Sequence, residues 1–147
     1  MKTTLWVLGL AACAVVVTAA PAPGARPVEG YHDAGSRVGC VMFQNYDRYG
    51  NAVECGRRGR PGGLLLTSAG PSRRAAWTWP SRRLRGRFFT AAYGVTYYLY
   101  GGTAKLRGDS SILRCVFRRR PTVRVRCTNG DGYAIDVTRT RLRRLGP

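Results

Sequence analysis

Two cysteines enclose a short basic stretch near the C-terminus: Cys115-Val116-Phe117-Arg118-Arg119-Arg120-Pro121-Thr122-Val123-Arg124-Val125-Arg126-Cys127. Apolar residues alternate with arginines on both sides of Pro121, a pattern typical of two half-buried strands joined by a turn. If Cys115 pairs with Cys127 in an antiparallel hairpin, Phe117 pairs with Val125. One face then holds Leu113, Cys115, Phe117, Val123, Val125 and Cys127, and the opposite face holds Arg114, Arg118, Arg124 and Arg126.

A second hairpin of the same kind is predicted around Cys40 and Cys55. The register that pairs these two cysteines also pairs Met42 with Val53. The turn then falls within residues 46–51, which include Gly50 and Asn51. A disulfide in this hairpin would join two neighbouring strands, as in the first.

The cysteine count supports both bridges. The chain has five cysteines, and loss of Cys13 with an export signal leaves an even number, as expected in an exported protein with disulfides. Each bridge is worth roughly 3 kcal/mol in the chain-entropy model. Because the sequence has one histidine and no Cys-x-x-Cys pair, we expect no metal site, no cofactor and no thiol nucleophile.

The N-terminus predicts export. Lys2 precedes an apolar run and small residues follow it, so we predict a signal peptide at residues 1–19, cleaved after Ala19. An uncleaved membrane anchor is the alternative, although the run is shorter than the roughly 20 residues that span a bilayer. Lipidation of Cys13 is a further alternative, because Leu10-Ala11-Ala12-Cys13 is similar to a lipobox.

After the signal, residues 20–36 are rich in Pro, Ala and Gly and predict an extended tether. A single disulfide-bridged domain is expected at residues 37–147, because this length suits one core. We therefore expect a secreted or extracytoplasmic protein with no membrane span once the signal is removed.

Strand-like segments dominate that domain, at residues 38–44, 52–55, 64–67, 75–79, 94–100, 103–106, 112–117, 123–127 and 133–137. The segment Asn129-Gly130-Asp131-Gly132 predicts a hairpin turn rather than a calcium loop, since the terminal Glu of such a loop is missing. Leu142 and Leu145 are three apart, which predicts one or two helical turns. The predicted fold class is all-β: a small antiparallel sheet, either a curled sandwich or a part-open barrel, with at most a short C-terminal helix.

Several motifs resemble an uncharacterised family of exported bacterial domains of unknown function. The C-terminal motifs are Tyr98-Leu99-Tyr100-Gly101, Ile112-Leu113-Arg114-Cys115, Val125-Arg126-Cys127-Thr128-Asn129 and Gly132-Tyr133-Ala134-Ile135; the N-terminal ones are Val38-Gly39-Cys40 and Val53-Glu54-Cys55. The resemblance covers most of residues 37–145 and implies export and two bridged hairpins. It implies no catalytic or binding residues.

The net charge is +18, and lysine occurs only at Lys2 and Lys105, so nearly all the positive charge is arginine. A GC-rich genome raises arginine content without selection for binding, yet a small domain with this charge still attracts polyanions at low salt. We expect an anionic polymer or a cell-envelope component as partner. The sequence gives no indication of an oligomeric state.

Two arginine-rich regions are the candidate binding sites. One surrounds Trp77 and Trp79, which form either an exposed stacking platform for an anionic polymer or part of the core. The other combines a hairpin tip with the C-terminal tail, provided that tip and tail are neighbours. No nucleic-acid-reading motif accompanies either region, so sequence-specific nucleic-acid binding is not expected. The polyanion-binding candidates are Arg118, Arg119, Arg120, Arg139, Arg141, Arg143, Arg144, Trp77 and Trp79.

Catalytic groups are scarce. His32 is the only histidine and lies in the predicted tether, where we expect it to be exposed and idle. We therefore predict no catalytic residues and a non-enzymatic domain that binds anionic polymers. One alternative is an inhibitor or partner-binding module, since a disulfide-bridged β domain is a rigid platform. A small basic ribonuclease with Glu54 as base and His32 as acid is a further alternative.

Overall fold

The computed structural model describes residues 25–44, 46, 50–80, 84, 86–99 and 112–147. The predicted signal peptide, with Cys13, and the predicted strand at residues 103–106 lie outside the described residues. None of the described segments forms a helix long and apolar enough to cross a membrane.

The described residues form eleven strands and no α-helix, which confirms the all-β class. The strands are β1 (Arg26–His32), β2 (Val38–Gln44), β3 (Ala52–Arg57), β4 (Gly63–Thr67), β5 (Gly70–Arg74), β6 (Phe88–Thr90), β7 (Thr96–Leu99), β8 (Leu113–Arg118), β9 (Arg124–Thr128), β10 (Ala134–Thr138) and β11 (Leu142–Leu145). A six-stranded sheet has the order β5-β4-β3-β2-β1-β6, and a five-stranded sheet has the order β11-β10-β9-β8-β7. All pairs are antiparallel except β1 with β6.

The two sheets pack face to face as a sandwich and do not close into a barrel. Alternation along each strand sends one set of side chains into the space between the sheets, where they are completely buried. The six-stranded sheet contributes Val38, Cys40, Met42, Val53, Cys55, Leu64 and Leu66, and the five-stranded sheet contributes Leu113, Cys115, Phe117, Val125, Cys127, Ile135 and Val137.

The disulfides join Cys40 to Cys55 and Cys115 to Cys127, as predicted, and each bridge lies within one sheet. The predicted registers are also confirmed, with Met42 opposite Val53 and Phe117 opposite Val125. The two bridges touch across the core, where the Cys127 Sγ lies 3.5 Å from the Cys55 Sγ and 3.9 Å from the Cys40 Sγ. Since every one of these sulfurs is in a disulfide, none offers a thiolate to a metal.

Asn129 forms a hydrogen bond between the two sheets. Its Oδ1 accepts hydrogen bonds from the backbone N–H of Asp131 and Tyr133, which closes the predicted turn between β9 and β10. Its Nδ2 donates across the sandwich to the Thr67 carbonyl at 3.0 Å, at the end of β4. The side chain is 1% exposed, so these bonds are shielded from water.

The predicted tether was wrong beyond Ala25, because β1 begins at Arg26 and the six-stranded sheet includes it. Proline does not prevent this pairing. β6 pairs only with residues 30–32 of β1, so at Pro27 the strand pairs with β2 alone. Pro27 also lies next to a shift in the β1–β2 register. A missing N–H is tolerated at such an edge or bulge.

Two other predictions were wrong. Residues 75–79 form no strand. β5 ends at Arg74, and the chain then crosses the outer face of the six-stranded sheet, where Trp77 and Trp79 pack on glycines. The C-terminal helical turns are replaced by β11, in which Leu142 pairs with Val137 and covers the edge of the core. The Thr138 Oγ1 accepts hydrogen bonds from the N–H groups of residues 140 and 141 and closes this last hairpin.

We expect the double substitution Cys115→Ala/Cys127→Ala to lower the free energy of unfolding by about 3 to 5 kcal/mol. The loss combines the loop-closure entropy of the unfolded chain with a cavity beside the other bridge. Urea unfolding monitored by tryptophan fluorescence measures it. A loss below about 1 kcal/mol would show that the contact between the bridges is not a main source of stability.

Candidate anion-binding surfaces

The outer face of the five-stranded sheet is rich in arginine. We call the basic face the six outward-pointing arginines Arg114, Arg118, Arg124, Arg126, Arg141 and Arg143. Their placement follows from the hairpin register. When Cys115, Phe117, Val125 and Cys127 point into the core, the residues that alternate with them must point outward.

The arginines lie in cross-strand rows on this face. In one row Arg118 of β8 pairs with Arg124 of β9, and Arg124 pairs in turn with Thr138 of β10. In the next row Val116 pairs with Arg126, and Asp136 lies between Arg126 and Arg143. Along β9, Arg124 and Arg126 are about 7 Å apart, given the rise of an antiparallel strand.

Two shallow grooves run over the basic face. The first has a volume of about 370 Å³ and the second about 350 Å³. The first groove also contains Tyr98, which is 44% exposed and pairs with Arg114, and the aliphatic Val116. An aromatic ring and a methyl surface between guanidinium groups suit a polymer that has both charged and flat or apolar parts.

Asp136 is the only carboxylate among the described residues that line these grooves. Its Oδ2 lies 3.8 Å from the Arg124 Nη1, a long and weak ion pair. Among the described residues, neither the Asp136 Oδ1 nor the Arg124 Nε has a hydrogen-bond partner, although both atoms are buried. The face therefore keeps most of its positive charge.

A separate arginine cluster lies at one end of the sandwich, where three turns meet. We call it the turn pocket; it has a volume of about 340 Å³ and is lined by Gly35, Ser36, Arg37, Arg57, Arg58, Arg60 and Arg139. The turn between β1 and β2 supplies the first three. Arg57 is the last residue of β3, Arg58 and Arg60 lie in the turn after it, and Arg139 comes from the turn between β10 and β11.

Asp33 organises the first of these turns. Its carboxylate is completely buried and accepts hydrogen bonds from the backbone N–H groups of Gly35, Arg37 and Val38 at 2.6 to 2.9 Å. It also accepts one from the Arg37 Nε at 3.1 Å. Burial alone would raise the pKa of Asp33, but these hydrogen bonds outweigh it and the pKa lies below its ordinary value.

Trp77 and Trp79 cover glycines on the outer face of the six-stranded sheet. A Cβ at Gly56 would overlap the Trp77 ring, and a Cβ at Gly39 would lie 3.1 Å from the Trp79 ring. Both tryptophans are half-buried. This position agrees better with a packing role than with an exposed stacking platform. The Arg58 guanidinium lies 5.7 Å from the centre of the Trp79 ring, within cation–π range.

The structure thus divides the predicted binding residues. Arg118, Arg141 and Arg143 lie on the basic face, whereas Arg139 lies in the turn pocket. The remaining predicted arginines, Arg119, Arg120 and Arg144, are exposed but line neither of these two surfaces.

Sequence reasoning missed several arginines of both surfaces. Those of the basic face were placed together by the hairpin alternation but were not proposed as binding residues: Arg114, Arg124 and Arg126. Those of the turn pocket come from turns far apart in sequence, and no local pattern indicates that they meet: Arg37, Arg57, Arg58 and Arg60.

The structure does not bring the two residues of the ribonuclease alternative together. His32 lies in β1, where it is half-buried against Phe88 and Trp79, so the prediction that it is exposed in a tether was wrong. Glu54 lies in β3, on the far side of β2, and its Oε1 is 3.8 Å from the Arg74 Nε. Two strand spacings, about 10 Å, therefore separate the strands that hold them.

No protein-family model, curated protein or solved structure matches this chain. The resemblance noted among its cysteine hairpins therefore stays a prediction.

We expect Asp33→Asn to lower the free energy of unfolding by about 2 to 3 kcal/mol at pH 7, because it removes a buried charge that accepts four hydrogen bonds. A carboxyl whose folded-state pKa is lowered stabilises the fold above its unfolded value, near pH 3.9, and this contribution disappears as the pH falls through the folded value. The difference from the wild type should therefore shrink below about pH 4. Urea unfolding at several pH values measures this difference.

The control is Asp131→Asn, at an exposed turn position. It should change stability by less than about 0.5 kcal/mol. A stability difference for Asp33→Asn that stayed constant down to pH 2 would contradict the role assigned to this carboxylate.

Proposed function

We propose that the protein is an exported, non-enzymatic domain that holds anionic polymers of the cell envelope or its surroundings against the basic face. The observation that supports this most strongly is the charge of that face, which has six arginines and one carboxylate in two adjoining grooves. The two disulfides suit an oxidising, extracytoplasmic environment, where such polymers occur.

Binding would depend on counterion release. Each phosphate or comparable group that a guanidinium neutralises releases condensed counterions from the polymer, so affinity falls steeply with salt. Guanidinium groups also offer paired N–H donors that match the oxygens of phosphate. Such contacts are to the backbone of the polymer and carry little sequence information.

A general excess of arginine in the genome would also place arginines on outer faces. It does not, however, account for the pairing of Arg118 directly opposite Arg124. Like charges facing each other across strands are destabilising. Arg118 and Arg124 form the last pair before the hairpin turn, with Asp136 as the one carboxylate among the described groove residues, so an anion bound beside them would relieve their repulsion.

We expect the triple variant Arg114→Gln/Arg118→Gln/Arg126→Gln to bind single-stranded DNA, RNA and a phosphate-bearing cell-wall polymer about 10- to 100-fold more weakly at about 100 mM salt. The slope of log affinity against log salt should fall by about 2 to 3, since three phosphate contacts are lost. Fluorescence anisotropy over about 50 to 300 mM salt measures both quantities.

The matched control removes the same charge elsewhere, with Arg26→Gln/Arg73→Gln/Arg87→Gln. These side chains are exposed and lie outside the basic face and the turn pocket. It should weaken binding less than about 3-fold, because only the long-range field changes. Equal losses in the two variants would show that the polymer responds to net charge and not to this face.

A further inference from the structure

We propose that the turn pocket is a separate binding site for one compact, multiply charged phosphate group, such as an oligophosphate or the terminal phosphate of a larger molecule. No residue lines both this pocket and the basic face. The site therefore does not depend on the proposed polymer-binding surface.

Charge is the first argument. Five arginines line the pocket, and Asp33 neutralises only Arg37. Among the described residues, no carboxylate forms an ion pair with the other four, Arg57, Arg58, Arg60 and Arg139. Four uncompensated guanidinium groups around one cavity repel one another unless an anion lies between them.

Preorganisation is the second argument. The Arg37 guanidinium is held by Asp33, and the Arg58 guanidinium rests against the Trp79 ring. The backbone N–H of Arg58 also donates to the Arg37 carbonyl at 3.0 Å, which ties the two turns together. These side chains have less conformational entropy to lose when an anion binds.

An unsatisfied donor is the third argument. The Arg57 Nε is buried and has no hydrogen-bond partner among the described residues. A buried guanidinium N–H without an acceptor is costly. Phosphate oxygens in the pocket would bring acceptors beside this guanidinium, and a single phosphate group offers several oxygens to neighbouring arginines.

Size and lining define the class of ligand. A volume of about 340 Å³ is near the lower limit for small-molecule sites, and a few linked phosphates fit within it. Among the described residues, Gly35 and Ser36 are the only ones besides arginine that line the pocket. A Cβ at Gly35 would lie 2.7 Å from the Arg37 Nε, so any side chain there would displace that guanidinium.

The test is calorimetric titration of the oxidised protein with inorganic phosphate, pyrophosphate and tripolyphosphate at about 150 mM salt, where weak surface attraction is screened. We expect tripolyphosphate to bind at one site per chain and to bind most tightly of the three. The variant Arg58→Gln/Arg60→Gln/Arg139→Gln, made at exposed positions, should weaken its binding at least about 30-fold.

Two controls separate the site from general attraction. Arg26→Gln/Arg73→Gln/Arg87→Gln removes the same charge outside the pocket and should weaken binding less than about 3-fold. Gly35→Ala leaves the net charge unchanged and displaces Arg37, so it should weaken tripolyphosphate binding about 5- to 10-fold. Equal losses in the two triple variants, or several tripolyphosphates bound per chain, would overturn the proposal.

The source of the phosphate is tested with a 5′-phosphorylated and a 5′-hydroxyl oligothymidylate. Tighter binding of the phosphorylated form, abolished in the pocket variant, would identify the end of a polymer as the ligand; tripolyphosphate binding without this preference would identify a free oligophosphate. The basic-face variant should keep its affinity for tripolyphosphate. Failure of either proposal is thus distinguishable from failure of the other.

Discussion

The contact between the two disulfides at the centre of the sandwich is the constraint on which the remaining structure depends. Each bridge joins neighbouring strands of one sheet, and the sulfurs of the two bridges meet 3.5 to 3.9 Å apart. The inward-facing cysteines fix which side of the β2–β3 and β8–β9 hairpins is buried, because a shift of one residue would turn all side chains to the other face. The arginines of β8 and β9 must therefore point outward.

Most of the acidic side chains in the described part of the chain are buried. Asp33, Glu54 and Asp136 are all buried, and each has an arginine partner. Asp33 closes a turn, and Asp136 lies under the basic face. Arginine and lysine outnumber the acids by 25 to 7, so the surface charge is strongly positive, and the disulfides help to offset the self-repulsion that this charge brings to the compact state.

The hairpins were predictable from the sequence because their signal is local. Cysteine spacing, alternation and turn residues such as Pro121 all lie within the span of one hairpin, and they predicted both bridges and both registers correctly. The strand β1 was missed because the Pro, Ala and Gly content before residue 28 indicated a tether, although most of its pairing is with β2, the next strand in the sequence. The Leu142 and Leu145 spacing suited a helix equally well, and only pairing with β10 made it a strand.

Part of the basic face was predictable from the sequence, since alternation around Pro121 places the arginines of β8 and β9 on one side of the hairpin. The turn pocket was not visible, because it needs three turns to meet whose positions depend on sheet order. The two tryptophans illustrate the same limit. A pattern of two aromatic residues among arginines does not show that glycines at positions 39 and 56 leave room for the rings.

The most direct measurement is an NMR titration of the arginine Nε–Hε resonances with a short single-stranded oligonucleotide. If the basic face holds the polymer, the largest shifts should occur at Arg114, Arg118 and Arg126, with small shifts at Arg26, Arg73 and Arg87. Shifts of similar size at all arginines would contradict a defined binding face and would show that the protein attracts polyanions only through its net charge.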